Sequence, residues 1–149
     1  MSREKVGLWL SEMGDFRFDE NNTCTLTSEQ GITVFVEVPD ESEKVFVYSA
    51  LAPIGDAGNE PLFRYALELN LSLLHTGGPL LALDSQTGTL VLGYSRQIDE
   101  LNAQTFQNVV GNVALLAEEF AVKIHEFVSE ESAAAPSQGE GFTAGGVRA

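Results

Sequence analysis

The strongest pattern in the sequence is a helix that is apolar over most of its circumference. Between residues 62 and 75 the polar side chains recur at helical spacing and form one narrow stripe, which consists of Arg64, Glu68, Ser72 and His75. Asn59 is a candidate N-cap, Pro61 suits the first turn, and residues 77–79 (Gly-Gly-Pro) end the helix. A surface helix needs only one apolar stripe. This helix therefore requires cover on at least two sides.

Two strand-like runs follow this helix, at residues 80–83 and 89–94, and residues 84–88 between them have the chemistry of a short hairpin loop. Neither run alternates cleanly with polar residues, so both faces of the hairpin need cover. A second copy of the chain could supply the cover for the helix and the hairpin together. We therefore predict a homodimer with these interface residues: Leu62, Phe63, Leu67, Leu71, Leu74, Leu90 and Leu92.

The remaining elements follow from apolar spacing. Ser2 can cap a first helix whose apolar stripe leaves Leu8 outside it, and strands are predicted at residues 23–27, 32–38 and 44–51. Asn102 can cap a long final helix, and Gly111 within it could allow another backbone to approach closely. The order is helix, three strands, helix, two strands, helix. This order predicts an α+β domain in which helices pack on a twisted, mostly antiparallel sheet.

Composition sets the limits of the domain and excludes some partners. The chain has 149 residues and a formal net charge of −14, which opposes binding to nucleic acid or to an anionic membrane. Residues 1–129 are expected to form one domain, and residues 130–149, rich in Ser, Ala and Gly, are expected to be a disordered tail. No signal peptide is recognised, and no stretch reaches the roughly 18 apolar residues of a membrane span. We expect a soluble, cytoplasmic protein.

The sequence offers little catalytic chemistry. The two histidines, His75 and His125, have no second ligand type at metal spacing, and Cys24 is the only cysteine. Residues 93–97 (GYSRQ) lack the glycine that a nucleophile elbow requires. Adjacent acids such as Asp99 and Glu100 are typical of a solvated surface. We therefore expect no catalytic site, no bound metal and no cofactor, and a small carboxylate enzyme is the weakest of the functional hypotheses.

A series of short motifs in a fixed order resembles the class I type III secretion chaperones, the small acidic chaperones of the Tir chaperone family. The resemblance extends from about residue 6 to residue 127. The motifs that carry it are Gly14, residues 18–21 (FDEN), 24–26 (CTL), 31–34 (GITV), 52–55 (APIG), 69–71 (LNL), 77–80 (GGPL), Asp84, 87–88 (TG) and 90–92 (LVL). Each motif consists of turn residues or an apolar run, and it is their order and spacing that identify the family.

The resemblance implies a function in the bacterial cytoplasm. Such chaperones are homodimers joined through the second helix and the following hairpin, and they hold the N-terminal segment of a secreted effector in extended form. The effector adds strands to sheet edges and fills apolar patches, without a cofactor or hydrolysis. The resemblance also makes the secretion ATPase a candidate partner.

The expected effector contacts in this chain are Leu8, Trp9, Phe16, Leu26, Phe35 and Val47. The pattern does not decide which face of the sheet the helices cover, so either Phe35 or the opposite row of the meander could be exposed. An alternative hypothesis is a dimeric α+β module of similar fold that binds proteins as a regulator or sensor and has no link to secretion.

Overall fold

The elements of the fold follow the predicted order of helices and strands. The structure is a computed structural model that describes residues 2–55 and 59–134, and the side chains of residues 132–134 are not described. A short 3-10 helix (Ile98–Glu100) precedes the last α-helix. The other elements are α1 (Ser2–Met13), β1 (Thr23–Thr27), β2 (Thr33–Glu37), β3 (Lys44–Pro53), α2 (Glu60–Thr76), β4 (Leu80–Asp84), β5 (Thr89–Gln97) and α3 (Ala103–Ala134).

The five strands form one sheet in the order β1-β2-β3-β5-β4, and each pair of neighbours is antiparallel. The prediction of an α+β fold with an antiparallel sheet is confirmed. The second hairpin joins the first three strands through β5, which pairs with β3 along nearly its whole length. Strands β1 and β4 are therefore the two edges of the sheet.

One face of the sheet is covered by helices. Val34, Val36 and Val47 point to this face and are buried in a cluster with residues of α1 and α3. Within that cluster the rings of Trp9 and Phe106 pack with their centroids 5.5 Å apart. Strands β1 and β2 and the first part of β3 therefore alternate between a buried side chain on the helix side and a more accessible one on the other side.

Helix α2 packs beside the edge strand β4 and ends as predicted. Gly77 adopts a left-handed conformation with φ of 70°, and the N–H groups of Gly77 and Gly78 donate to the carbonyls of the last turn. Asn59 is the N-cap residue, as predicted, and its carbonyl accepts from Phe63 N at 2.9 Å. The Asn59 side chain makes no capping bond and instead donates to the carbonyl of Gly55, 2.5 Å away.

Helix α3 begins with the cap that the sequence indicates and continues past the predicted boundary. Asn102 and Thr105 exchange hydrogen bonds, Thr105 N to Asn102 Oδ1 at 2.9 Å and Asn102 N to Thr105 Oγ1 at 2.8 Å. The helix runs to Ala134, so residues 130–134 are helical although they were assigned to a disordered tail. The composition changes there, but alanine and glutamate continue a helix readily. The rest of the expected tail, residues 135–149, lies outside the described residues.

Gly111 lies on an open side of α3. No described residue lies within 4 Å of the position that a β-carbon at Gly111 would take. The close approach of another backbone that the sequence suggested is therefore not found within the described part of the chain.

Candidate protein-binding surfaces

The described part of the chain shows neither a metal-binding cluster nor an activated cysteine thiol. Residues 2–55 and 59–134 contain no group of three or more His, Cys, Asp or Glu side chains that could hold a metal ion. Cys24 is buried and unpaired by any disulfide. Burial raises the pKa of the Cys24 thiol above its ordinary value, so the thiol is protonated at neutral pH and is not an activated nucleophile.

An apolar surface lies on the outer face of α2. Leu67, Leu71 and Leu74 follow one another at helical spacing, and their side chains are 69%, 60% and 64% exposed. On a single copy of the chain these three leucines form a continuous stripe in water. A stripe of this kind is typical of a protein–protein interface.

A shallow apolar groove continues this stripe toward the edge of the sheet. It has a volume of about 260 Å³ and lies between α2 and β4, where Phe63 and Leu67 face Leu83. Leu83 is 47% exposed. We call the stripe Leu67, Leu71 and Leu74, together with Phe63 and Leu83, the α2 surface.

The predicted interface residues divide into two sets. Phe63, Leu67, Leu71 and Leu74 lie on the α2 surface. Leu62, Leu90 and Leu92 are buried within the chain itself, where Leu62 and Leu90 pack with Ile124. These three leucines are not available to a second copy in this structure, because α3 covers the side of β5 on which Leu90 and Leu92 lie and also packs against Leu62 of α2. Leu83 completes the surface, and the sequence analysis missed it because the covered face of the hairpin was unknown.

The sheet face opposite the helices is open and partly aromatic. Phe35 and Tyr48 are cross-strand neighbours whose rings stack with centroids 5.3 Å apart, and Phe46 lies on the same face. Burial and the neighbouring Glu37 carboxylate raise the pKa of Tyr48, so its hydroxyl stays neutral. Gly93 faces Tyr48 on the next strand, and a β-carbon at Gly93 would lie 2.4 Å from the Tyr48 Cβ. Only glycine fits there, because the same β-carbon would also lie 2.6 Å from Val47 O and 2.8 Å from Tyr48 Cα.

The residues expected to contact the effector fall into two sets, one exposed or half-buried and one buried. Leu8 is 65% exposed on α1, Phe35 is half-buried on the open sheet face, and Phe16 is half-buried against the core. Trp9, Leu26 and Val47 are buried in the hydrophobic core. Contact of these three with a partner stays a prediction, although their side chains are not accessible in this structure. The helices cover the side of the sheet on which Leu26 and Val47 lie, and the side of Phe35 stays open.

The edge at β1 carries unpaired backbone groups. Just beyond the two ends of the β1–β2 pair, Asn22 O accepts from Val38 N and Ser28 N donates to Ile32 O. Alternation therefore turns the backbones of Thr23, Thr25 and Thr27 outward. Both groups of Thr23 are occupied by Asp19: Thr23 N donates to Asp19 Oδ1 at 3.1 Å, and Asp19 N donates to Thr23 O at 2.9 Å. Among the described residues, none bonds the outward groups of Thr25 or Thr27.

Solved structures of similar fold include several protein complexes. A chain of the HopA1–SchA chaperone–effector complex aligns with a TM-score of 0.62 and 19% identity, over 80% of this chain and 91% of the other. A chain of the ExsC–ExsE complex aligns with a TM-score of 0.63 and 19% identity, over 80% and 90%. An uncharacterized protein from Methanothermobacter thermautotrophicus aligns with a TM-score of 0.57 and 15% identity, over 88% and 99%. At these identities the likeness shows the fold.

The family is shown by sequence. No protein of curated function matches the chain significantly. The model of the Tir chaperone protein (CesT) family matches residues 10–121, which include every strand, α2 and most of α3. No helix in residues 2–55 or 59–134 has the length and apolar character needed to cross a membrane. The chain belongs to the Tir chaperone protein (CesT) family.

Proposed function

We propose that this protein is a type III secretion chaperone of the bacterial cytoplasm. It binds the N-terminal segment of a secreted effector in extended form and keeps the effector soluble and competent for secretion. Family membership supports this role. The observation that carries it is the placement of exposed apolar groups on α1, α2 and the open sheet face. Binding without catalysis is the function that such surfaces support.

The α2 surface is proposed to bind a second copy of the chain. Leu67, Leu71 and Leu74 of this surface are more than half exposed in a single copy. Full burial of one leucine side chain at an interface would stabilise the complex by about 1.5–3 kcal/mol. A two-fold dimer buries the same patch on both copies. Each copy carries a formal charge of −14, so the copies repel one another at long range. Added salt screens this repulsion, and we expect it to strengthen the dimer slightly.

The effector is proposed to bind away from the α2 surface, where Leu8 and Phe35 remain accessible on a dimer. Phe16, which is half-buried against the core, is also proposed to contact the effector. Main-chain hydrogen bonds at a sheet edge supply affinity that does not depend on effector sequence, and apolar side chains beside the edge supply selectivity. We further propose that the complex is delivered to the secretion ATPase.

Purification of the chaperone from its native cell tests the proposal. The expected result is one stoichiometric partner that protease trims to an N-terminal segment, with an affinity that changes little with salt because few charges take part. A partner bound only as a compact folded domain, or an affinity that collapses at moderate salt, contradicts the chaperone mechanism.

The fold also suits a dimeric regulator or sensor module that binds proteins without any link to secretion. The similarity to an uncharacterized protein of the same fold keeps this candidate open. It differs from the chaperone in one measurable respect, because a regulator's partner stays folded when bound.

A further inference from the structure

A second groove lies on the surface where the start of α2 meets the end of α3. It has a volume of about 490 Å³, and its lining includes Pro61 and Tyr65 of α2 and Phe127 of α3. No residue of the α2 surface and none of the residues expected to contact the effector lines this α2–α3 groove. Tyr65 precedes Leu67 by two residues, which corresponds to about 200° around a helix. The groove is therefore separate from the surfaces proposed for the second copy and the effector.

The lining of the α2–α3 groove contains a pair of parallel aromatic rings. Tyr65 and Phe127 stack with their centroids 4.6 Å apart and an angle of 6° between the ring planes. Both side chains are half-buried, so the pair joins α2 to α3 and still reaches solvent. Accessible aromatic surface of this kind attracts cations and also packs against the aliphatic stem of a long basic side chain.

The charged groups around these rings are mostly carboxylates. Glu60, Glu68 and Glu131 line the groove and are exposed, whereas Arg64 is the one cation among its described lining residues. Arg64 Nη2 lies 4.0 Å from Glu60 Oε2, and the Arg64 side chain is 73% exposed. Within residues 2–55 and 59–131, no cation forms an ion pair with Glu68 or Glu131. The groove therefore keeps an excess of negative charge beside its aromatic pair.

Arginine is the side chain that complements this combination of groups best. Its guanidinium is planar, stacks on aromatic rings and donates paired hydrogen bonds to carboxylates. The ammonium of lysine is a strongly hydrated point charge and does not stack. An acidic or purely apolar side chain would leave the carboxylates of the groove without a partner. The chemistry of the groove thus selects a basic occupant.

We propose that the α2–α3 groove binds an arginine of a basic segment in a partner protein. The guanidinium pairs with Glu68 and Glu131, and the aliphatic stem packs against Tyr65 and Phe127. The net charge of −14 on the chain attracts a basic segment and repels an acidic one. This inference goes beyond the proposed function, because it assigns a binding site apart from the effector contacts and holds whether or not the partner of those contacts is an effector.

The test uses the full-length protein and a defined probe, the end-capped peptide Ala-Gly-Arg-Gly-Ala. Nuclear magnetic resonance should show saturable shifts of the Tyr65 and Phe127 rings and none at Phe35 on the open sheet face. The same peptide with citrulline, a neutral isostere of arginine, should cause no shift. Added salt should weaken the binding, because the carboxylates are exposed. Equal shifts with the citrulline peptide, or shifts spread over the whole acidic surface, overturn the inference.

The same titration separates a partner from the chain's own basic residue near its end. Protein truncated after Ala134 should bind the arginine peptide with the affinity of the full-length protein. Much tighter binding after truncation would identify Arg148 of the chain itself as the occupant and would overturn the assignment to a partner.

Removal of the carboxylates distinguishes the groove from general attraction to an acidic protein. Glu68→Gln combined with Glu131→Gln should weaken binding of the arginine peptide about fivefold, since two exposed ion pairs are lost. The control combines Glu20→Gln with Glu118→Gln, which removes the same charge outside the groove and should change the affinity less than about twofold. All four residues are exposed, so the variants should fold normally. Equal effects of the two double variants overturn the inference.

Removal of the groove's own cation should have the opposite effect. Arg64→Gln removes a positive charge that repels the bound guanidinium and should tighten binding of the arginine peptide about threefold. The control is Arg17→Gln, which removes a cation that is exposed and does not line the groove. Weaker binding by Arg64→Gln, or the same gain in both variants, overturns the inference.

Discussion

Helices α2 and α3 are both rich in apolar residues, yet they use them differently. Phe106, Val113 and Ile124 of α3 are almost wholly buried against the sheet of the same chain. Leu67 and Leu71 of α2 remain more than half exposed. Helix α3 has a single main apolar stripe, which one sheet can cover, whereas α2 is apolar on a second side. The number of apolar sides of a helix therefore indicates how many surfaces must pack against it.

Exposure of a single leucine does not distinguish the two helices. Leu115 on α3 is 65% exposed, as much as the leucines of α2. It stands alone, with Glu118 and Glu119 between it and the next exposed apolar residue, Val122. The leucines of α2 are successive and continue into the groove beside β4. An interface is therefore indicated by a continuous apolar patch and not by single exposed apolar residues.

The largest predicted effect concerns the buried helix. Phe106→Ala should lower the free energy of unfolding by about 3–5 kcal/mol, because it leaves a cavity beneath Trp9. Urea denaturation followed by circular dichroism measures this loss. Leu115→Ala on the same helix is the control and should change stability by less than about 0.5 kcal/mol. Similar losses for both variants would show that α3 is not anchored as described.

The second prediction concerns dimerisation. Leu71→Arg places an unpaired charge in the proposed interface, at a cost of several kcal/mol, and sedimentation should show monomer or aggregate. The control is Leu115→Arg, which changes a leucine of similar exposure on α3 and should leave the dimer intact. If the wild-type protein sediments as a monomer at micromolar concentration, the exposed leucines of α2 do not form a dimer interface, and the contrast drawn between the two helices is wrong.

Much of the fold could be predicted because its signals are local. The stop at Gly77 and the exchange of hydrogen bonds between Asn102 and Thr105 depend on residues close in sequence. The covered face of the sheet could not be predicted, because Val34 and Val36 on one side and Phe35 on the other are all apolar. Because the covered face was not known, Leu26 and Val47 were expected to be accessible, whereas both are buried in this structure.

The candidate site was only partly predictable for the same reason. The exposed leucines of α2 follow from its apolar circumference, but the burial of Leu62, Leu90 and Leu92 depends on where α3 packs. The bonds of Asn70 to Leu81 and of Asp19 to Thr23 join a polar side chain to an outward strand backbone. Asp19 and Asn70 lie in the motifs at residues 18–21 and 69–71, but these motifs do not indicate which backbone groups the two side chains bond.

The third prediction separates partner binding from dimerisation. Leu8→Asp should weaken partner binding about tenfold, because it replaces an exposed apolar contact by a charge in an already acidic chain. Phe35→Asp should act in the same direction and also remove the stack with Tyr48. Isothermal titration measures the affinity, and sedimentation should show both variants as dimers. If Leu8→Asp binds the partner with full affinity, α1 is not part of the binding surface.

The smallest predicted effect concerns the end of the chain. Truncation after Ala134 leaves every described element in place, so the melting temperature should change by no more than a degree or two. Calorimetry of the truncated and full-length proteins makes the comparison. A drop of many degrees would indicate that Phe142 or Val147 packs on the folded domain.

Hydrogen exchange measured by mass spectrometry on the purified complex with its native partner tests the central claim most directly. The account predicts that a short N-terminal segment of the partner is protected in the complex and unprotected in the free partner. New protection in the chaperone should be confined to β1 and its surroundings, while α2 is already protected by the dimer. Protection spread over a folded partner domain, with no change at Thr25 and Thr27, would contradict the account.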